Sequence, residues 1–180
     1  MGGRKNRLAT KEKLKIGIIL LSIVAFIINY KVNQDTIYLD TNIDELYASP
    51  LLWGDNSFEE MFFSDHTMPL CIKIRTITWN YEHAEDEYLT ITLKKTATEE
   101  ILASTSLSVR QLPDNNLTDY IYFDNVELEK NEWYSIVFQS NIPNEENGIG
   151  FMCTQKSDKE AYAVINGERQ NYNFAMVVYE

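Results

Sequence analysis

Histidine and cysteine are scarce in this chain of 180 residues, which holds two of each. His66 follows an aspartate in a turn-like stretch, and His83 sits in the acidic run at residues 82–87, which we expect to be a solvated loop. The sequence contains no Gly-x-Ser-x-Gly elbow, His-Glu-x-x-His pair or glycine-rich phosphate loop. Because catalysis needs a nucleophile or base beside an orienting partner, we expect no enzyme activity. A hydrolase built on Asp and Glu alone is the open alternative.

The two cysteines, Cys71 and Cys153, have neither zinc-site spacing nor a Cys-x-x-Cys motif. In an oxidising compartment they could close one disulfide, whose long loop would stabilise the fold by about 3–4 kcal/mol. The sequence supports equally well that Cys71 and Cys153 are two separate buried thiols with no disulfide between them. The acidic turns at residues 82–87 and 114–116 offer oxygen ligands for calcium but lack EF-hand spacing, so we expect no cofactor.

Long apolar runs are also absent, with one exception near the start of the chain. Residues 16–30 form an uncharged stretch of about 15 residues, somewhat short of the roughly 17–25 that a spanning helix needs. Lys15 and Lys31 flank it and can extend their ammonium groups to the lipid headgroups, and Tyr30 suits an interface. The sequence therefore predicts a transmembrane helix at residues 16–30, in contact with the lipid bilayer.

The orientation follows from the basic stub at residues 1–15, which holds six of the 16 Lys and Arg residues. Cations resist translocation, so the amino terminus should be cytoplasmic and the rest extracytoplasmic, in a single-pass protein of the cell membrane. A cleaved signal peptide is the alternative, but residues 27–32 offer no small-x-small cleavage site.

Positive charge is scarce beyond the apolar stretch, where ten Lys and Arg face 26 Asp and Glu, a difference of about −16. Such a surface disfavours nucleic acid and anionic lipid as partners of the outer domain.

The remaining sequence lacks any convincing helical pattern. After a linker and lead-in at residues 31–57, short alternating runs recur between polar turns through residues 58–180. Eight or nine such strands predict an all-β fold, an antiparallel β-sandwich. The apolar alternation places Leu89, Ile91 and Leu93 on one buried face.

Two local patterns add a resemblance. They are the strand Tyr134-x-Ile136-x-Phe138-x-Ser140 and the turn Asn166-Gly167-Glu168, within a matching order of hydrophobic runs. Residues 58–180 thereby resemble bacterial jelly-roll modules of the carbohydrate-binding, galactose-binding-like type, which are often attached to membrane-anchored envelope proteins. The resemblance implies a jelly-roll fold and a saccharide ligand, but it carries over no ligand-contacting residue.

Aromatic residues are the candidate ligand-binding groups, because flat rings stack on the apolar faces of sugars. In the strand around Ile136, alternation places Trp133 outward; in the preceding strand it places Tyr120 and Tyr122 outward. If the two strands form a hairpin, these three rings share one outer surface. Trp79 and Tyr81 at a strand end add two more rings. Packing of the same rings under a crossing loop is the structural alternative.

Two functions compete on this basis. The first is a membrane-anchored, non-catalytic module that binds a cell-envelope or extracellular glycan. The second is an accessory or assembly subunit whose sandwich docks onto another membrane or envelope protein through the same apolar patch.

Overall fold

The computed structural model describes residues 37–40, 46–64, 69–154 and 161–179. Within these ranges no helix is long and apolar enough to cross a bilayer. The basic stub and the apolar stretch at residues 16–30 lie outside the described residues, so the transmembrane helix stays a prediction.

The described residues are mostly β-structure, with two single-turn 3₁₀ helices at Val109–Gln111 and Glu145–Asn147. The strands are β1 (Ile37–Asp40), β2 (Leu46–Ala48), β3 (Ser57–Ser64), β4 (Pro69–Ile77), β5 (Tyr88–Lys95), β6 (Glu100–Ser108), β7 (Asn116–Leu117), β8 (Ile121–Glu127), β9 (Glu132–Ser140), β10 (Gly150–Thr154), β11 (Ala161–Ile165), β12 (Glu168–Arg169), β13 (Asn173–Phe174) and β14 (Met176–Tyr179). Each of the eight or nine strands expected from the sequence overlaps at least one of these strands.

One sheet has six antiparallel strands in the order β12-β11-β3-β9-β5-β6. Alternation in β5 puts Leu89, Ile91 and Leu93 in the core, as predicted. The β11–β12 hairpin turns at Asn166 and Gly167, which both have positive φ angles (50° and 80°), the conformation that an Asn-Gly turn favours.

The other sheet has eight strands. Its main path is β1-β14-β4-β10-β13, while β2 pairs with β10, and both β7 and β8 pair with β4. Strands β1 and β2 belong to the stretch at residues 31–57 that the sequence predicts as a linker and lead-in. That stretch therefore contributes two strands to the folded domain.

The two sheets pack face to face through four phenylalanines. Phe58 and Phe138 come from the six-stranded sheet, and Phe151 and Phe174 from the other. The Phe138 and Phe151 ring centroids are 4.9 Å apart, and Phe58 stacks on Phe174 at 5.7 Å. This core confirms the expected antiparallel sandwich.

The strands that sequence reasoning did not separate are short, with two to four residues each. Alternation cannot be recognised over two residues, as in β7, β12 and β13. The last expected run is divided at Ala175, whose N–H donates to the Met152 carbonyl while its own carbonyl accepts from the Arg75 N–H. Ala175 thus bridges β10 and β4.

Candidate functional site

The sequence analysis considered a hairpin of β8 and β9 that would bring Tyr120, Tyr122 and Trp133 together, and this pairing is wrong. β8 pairs with β4 in the eight-stranded sheet, whereas β9 pairs with β3 and β5 in the six-stranded sheet. The connecting turn passes from one sheet to the other, and the Asn131 N–H in it donates to the Ser64 carbonyl at the end of β3 (2.6 Å). Trp133 therefore lies on a different face of the domain from the two tyrosines.

Trp133 belongs to a separate cluster on the outer face of the six-stranded sheet. Its ring lies 5.6 Å from Phe63 and 5.8 Å from Tyr162, between centroids. The Arg169 guanidinium stacks 3.7 Å from the centre of the Tyr162 ring. Phe63, Trp133 and Tyr162 are half-buried. We call these three residues the second aromatic patch.

The other four aromatic residues predicted from the sequence lie around the outer face of β4. Alternation along β4 turns Ile72, Ile74 and Thr76 inward, where all three are buried, and turns Lys73 and Arg75 outward. The Lys73 ammonium lies 4.0 Å from the centre of the Tyr120 ring.

Tyr120 and Tyr122 themselves face outward, as the sequence predicts. Their side chains are 42% and 62% exposed, and their ring centroids are 5.9 Å apart. Tyr122 pairs across the strands with Cys71, two residues before Lys73 on the same side of β4. The two tyrosines therefore form one aromatic pair beside a cation.

Trp79 and Tyr81 form a second pair just beyond the end of β4. Their rings stack 6.3 Å apart with an interplanar angle of 27°. A Cβ on Gly150 would lie 2.7 Å from Trp79 Cη2. Because the next residue, Phe151, points into the core, Gly150 faces outward. The Trp79 ring therefore covers the outer face of the eight-stranded sheet.

Four of the five aromatic residues proposed from the sequence thus lie along one face. From Cys71 to Ile77, the last residue of β4, the distance along the strand is roughly 20 Å at about 3.3 Å per residue. The Trp79 ring lies against Gly150, which pairs with Ile77. We call this surface the β4 stripe; its members are Tyr122, Tyr120, Lys73, Arg75, Trp79 and Tyr81. Two aromatic pairs flank two cations on it.

Asp114 fixes the end of the stripe that holds Trp79. Its Oδ1 accepts hydrogen bonds from the backbone N–H groups of Thr78 and Trp79, both at 2.8 Å. Its Oδ2 accepts from the Asn80 side-chain amide at 3.1 Å. Trp79 and Asn80 have positive φ angles of 51° and 55°, an unfavourable conformation for residues other than glycine. The carboxylate holds this turn in place.

Replacing Asp114 with alanine should release the turn and the Trp79 ring. We expect a loss of about 1–2 kcal/mol in the free energy of unfolding, since several hydrogen bonds to a charged group disappear. Trp79 fluorescence should shift to the red as the ring leaves Gly150. Asp119→Ala, at a nearby exposed aspartate, is the matched control and should change neither quantity. An unchanged spectrum in Asp114→Ala would show that the ring is held by other contacts.

His83 is not in a solvated loop as the sequence suggested, because it is 9% exposed. Its Nδ1 lies 2.9 Å from Glu87 Oε2, which also accepts the Ala84 N–H. Over residues 46–64, 69–154 and 161–179, no three His, Cys, Asp or Glu side chains are grouped to hold a metal ion. The acidic run at residues 82–87 therefore includes a buried structural pair.

No disulfide joins the two cysteines. Cys153 points into the core and is fully buried, whereas Cys71 lies on the outer side of β4 and is half-buried. Cys153 pairs with Phe174 and Tyr47, whereas Cys71 pairs with Tyr179 and Tyr122, so the two cysteines have different neighbours in the sheet. Burial also raises the pKa of the Cys153 thiol.

Glu60 is a further buried ionisable group that the sequence analysis did not identify. It is fully buried in β3, where Oε2 accepts the Phe174 N–H at 3.0 Å and Oε1 has no hydrogen-bond partner. Burial raises the pKa of Glu60 well above its usual range, although the Phe174 hydrogen bond opposes the shift. Side-chain alternation could have identified it, since Glu60 lies between Phe58 and Phe62 on the same face of β3.

Comparison with known proteins found no family model and no curated protein that matches this chain.

Proposed function

We propose that this protein is a non-catalytic module that binds a cell-envelope or extracellular saccharide by ring stacking on the β4 stripe. The observation that carries the proposal is the exposure of four rings on one sheet face: Tyr122 at 62%, Tyr81 at 46%, Tyr120 at 42% and Trp79 at 38%. Contiguous exposed apolar patches mark interaction sites or ligand-binding grooves.

The shape of the stripe suits an extended saccharide chain. Two aromatic pairs separated along β4 offer two stacking positions, and each has polar side chains at its rim. Asn80 and Asp114 lie beside one pair, and Lys73 beside the other. The side chains of such a rim bind sugar hydroxyls while the rings cover the apolar C–H faces.

The proposal also includes the fold type and the cellular location that the sequence predicts. The sandwich is proposed to be a jelly roll of the galactose-binding-like type, displayed outside the cell by a transmembrane helix at residues 16–30. The ligand is then a glycan of the envelope or the surroundings. Protease treatment of intact cells would test the setting, because a domain protected from digestion would contradict it.

Substitution of the two tyrosines tests the binding role. We expect Tyr120→Ala with Tyr122→Ala to weaken glycan binding by about five- to 150-fold. Each ring removed costs about 0.5–1.5 kcal/mol, and tenfold corresponds to about 1.4 kcal/mol. The measurement is a glycan array with the full-length chain, followed by affinity electrophoresis on the retained glycan.

Trp133→Ala is the matched control, because it removes an aromatic residue from the other sheet. Glycan retention should survive this substitution. Equal losses in both variants would indicate a general defect of folding, and unchanged retention in the double tyrosine variant would refute the proposal.

The second candidate function is docking onto another membrane or envelope protein, and the second aromatic patch favours it. Phe63, Trp133 and Tyr162 form a continuous half-buried apolar surface, with the cation of Arg169 at one side. Crosslinking through a photoreactive residue at Val164, beside this patch, followed by pull-down should then yield one stoichiometric protein. No such product from intact cells would dismiss this function.

A further inference from the structure

Lys73 and Arg75 lie next to each other in the middle of the β4 stripe, two residues apart on the outer side of the strand. Within the described part of the chain, Lys94, Lys95 and Arg110 form ion pairs with glutamates. Among the described residues, Lys73, Arg75, Lys130 and Arg169 form no ion pair, although acidic residues outnumber basic ones 26 to ten beyond the apolar stretch. Of these four cations, Lys73 and Arg75 are the two that lie side by side on one strand.

Lys73 contacts an aromatic ring, and Arg75 is partly buried in the sheet face. The Lys73 ammonium sits over the Tyr120 ring at 4.0 Å, which fixes its position beside the tyrosine pair. Arg75 is half-buried, and its Nε is buried with no hydrogen-bond partner among the described residues. The buried Nε is out of reach of a surface ligand, so the two terminal nitrogens of the guanidinium are the donors suited to hydrogen bonding with a carboxylate or phosphate.

We infer that the β4 stripe selects a saccharide that carries an anionic group, a carboxylate or a phosphate, and that Lys73 and Arg75 bind this group between the two aromatic pairs. This inference rests on the proposed saccharide function. The net charge of about −16 repels an extended anionic surface such as a bilayer or nucleic acid at long range, while a single anion can still pair with two local cations at contact.

In this inference the rings and the cations of the β4 stripe bind different parts of the saccharide. The tyrosine pair and the Trp79–Tyr81 pair contact apolar sugar faces, and the cations between them contact the charged substituent. Replacing Lys73 with methionine retains an apolar stem over Tyr120 and removes only the charge. This substitution therefore separates charge recognition from stacking.

Binding of matched charged and neutral sugars tests the inference. The full-length chain is titrated with oligogalacturonate, with its methyl ester, and with phosphorylated and unphosphorylated mannan oligosaccharides. We expect one charged form to bind at least tenfold more tightly than its neutral counterpart, with a preference that weakens at high salt. The two arms distinguish a carboxylate from a phosphate as the anion.

Lys73→Met should reduce the preference to less than threefold, and Lys73→Arg should restore it. Lys130→Met, at an exposed turn away from the stripe, makes the same charge change and should leave the preference intact. Equal binding of charged and neutral sugars that still depends on Tyr120 and Tyr122 would overturn the inference but not the proposed function. A glycan array with no binding at all would overturn both.

Discussion

Replacing Glu60 with glutamine should stabilise the sandwich at neutral and alkaline pH and remove the contribution of Glu60 to the pH dependence of its free energy of unfolding. Burial raises the pKa of Glu60 well above the usual 4.5, so the folded state favours the neutral carboxyl. Glutamine retains the shape and an acceptor for the Phe174 N–H, and it carries no charge.

The sign of the pH dependence follows from linkage. Below about pH 4.5 Glu60 is protonated in both the folded and the unfolded chain, and the wild type has its full stability. As the pH rises, the unfolded chain ionises first, so the wild type loses stability until the pH passes the raised pKa of the folded state. At pH 8 we expect Glu60→Gln to exceed the wild type by about 1–3 kcal/mol, the order of the cost of a buried unsatisfied polar group.

Urea unfolding of the full-length chain between pH 5 and 9 measures this difference. The nearby ionisable groups should stay neutral in that range, because burial raises the pKa of Tyr47 to about 12 and raises the pKa values of Cys153 and Tyr172 as well. Glu59→Gln is the matched control: the adjacent residue faces outward and is half-buried, so its effect should be smaller. A wild-type stability that rises from pH 5 to 8 would contradict the predicted sign.

Replacing Phe151 with alanine should cause the largest loss of stability. Phe151 contacts the rings of Phe58, Phe138 and Phe174, which come from both sheets. Removal of a fully buried phenylalanine leaves a cavity that the rigid strands cannot close, at a cost of about 3–5 kcal/mol. The expected result in urea unfolding is a large drop in the transition midpoint, with a slope close to that of the wild type.

Tyr122→Ala provides the comparison for Phe151→Ala. Its ring is exposed, so its removal should change the free energy of unfolding by less than about 0.5 kcal/mol. A loss below 1 kcal/mol in Phe151→Ala would mean that the two sheets do not share this core.

The alternation of side chains made much of the fold predictable from sequence. Inward residues such as Leu89, Ile136 and Phe138 followed directly from the period of two, and so did the outward positions of Tyr120 and Tyr122. These predictions depend only on residues within one strand.

Pairing between strands was not predictable in the same way. β8 and β9 are neighbours in sequence, yet they belong to different sheets, because the partner of a strand is set by long-range packing. The same reason explains why Trp133 was assigned to the wrong surface, and why the burial of His83 escaped notice. The closeness of Trp79 to Gly150 likewise arises from a contact between distant segments.

The position of β14 has a consequence for how the protein folds during synthesis. β14 lies between β1 and β4, and Ile37 pairs with Tyr179, a residue far away in the sequence. Residues 176–179 must therefore be synthesised before this part of the sheet can close. Pairing between segments so far apart in sequence makes folding slow, on the order of milliseconds to seconds.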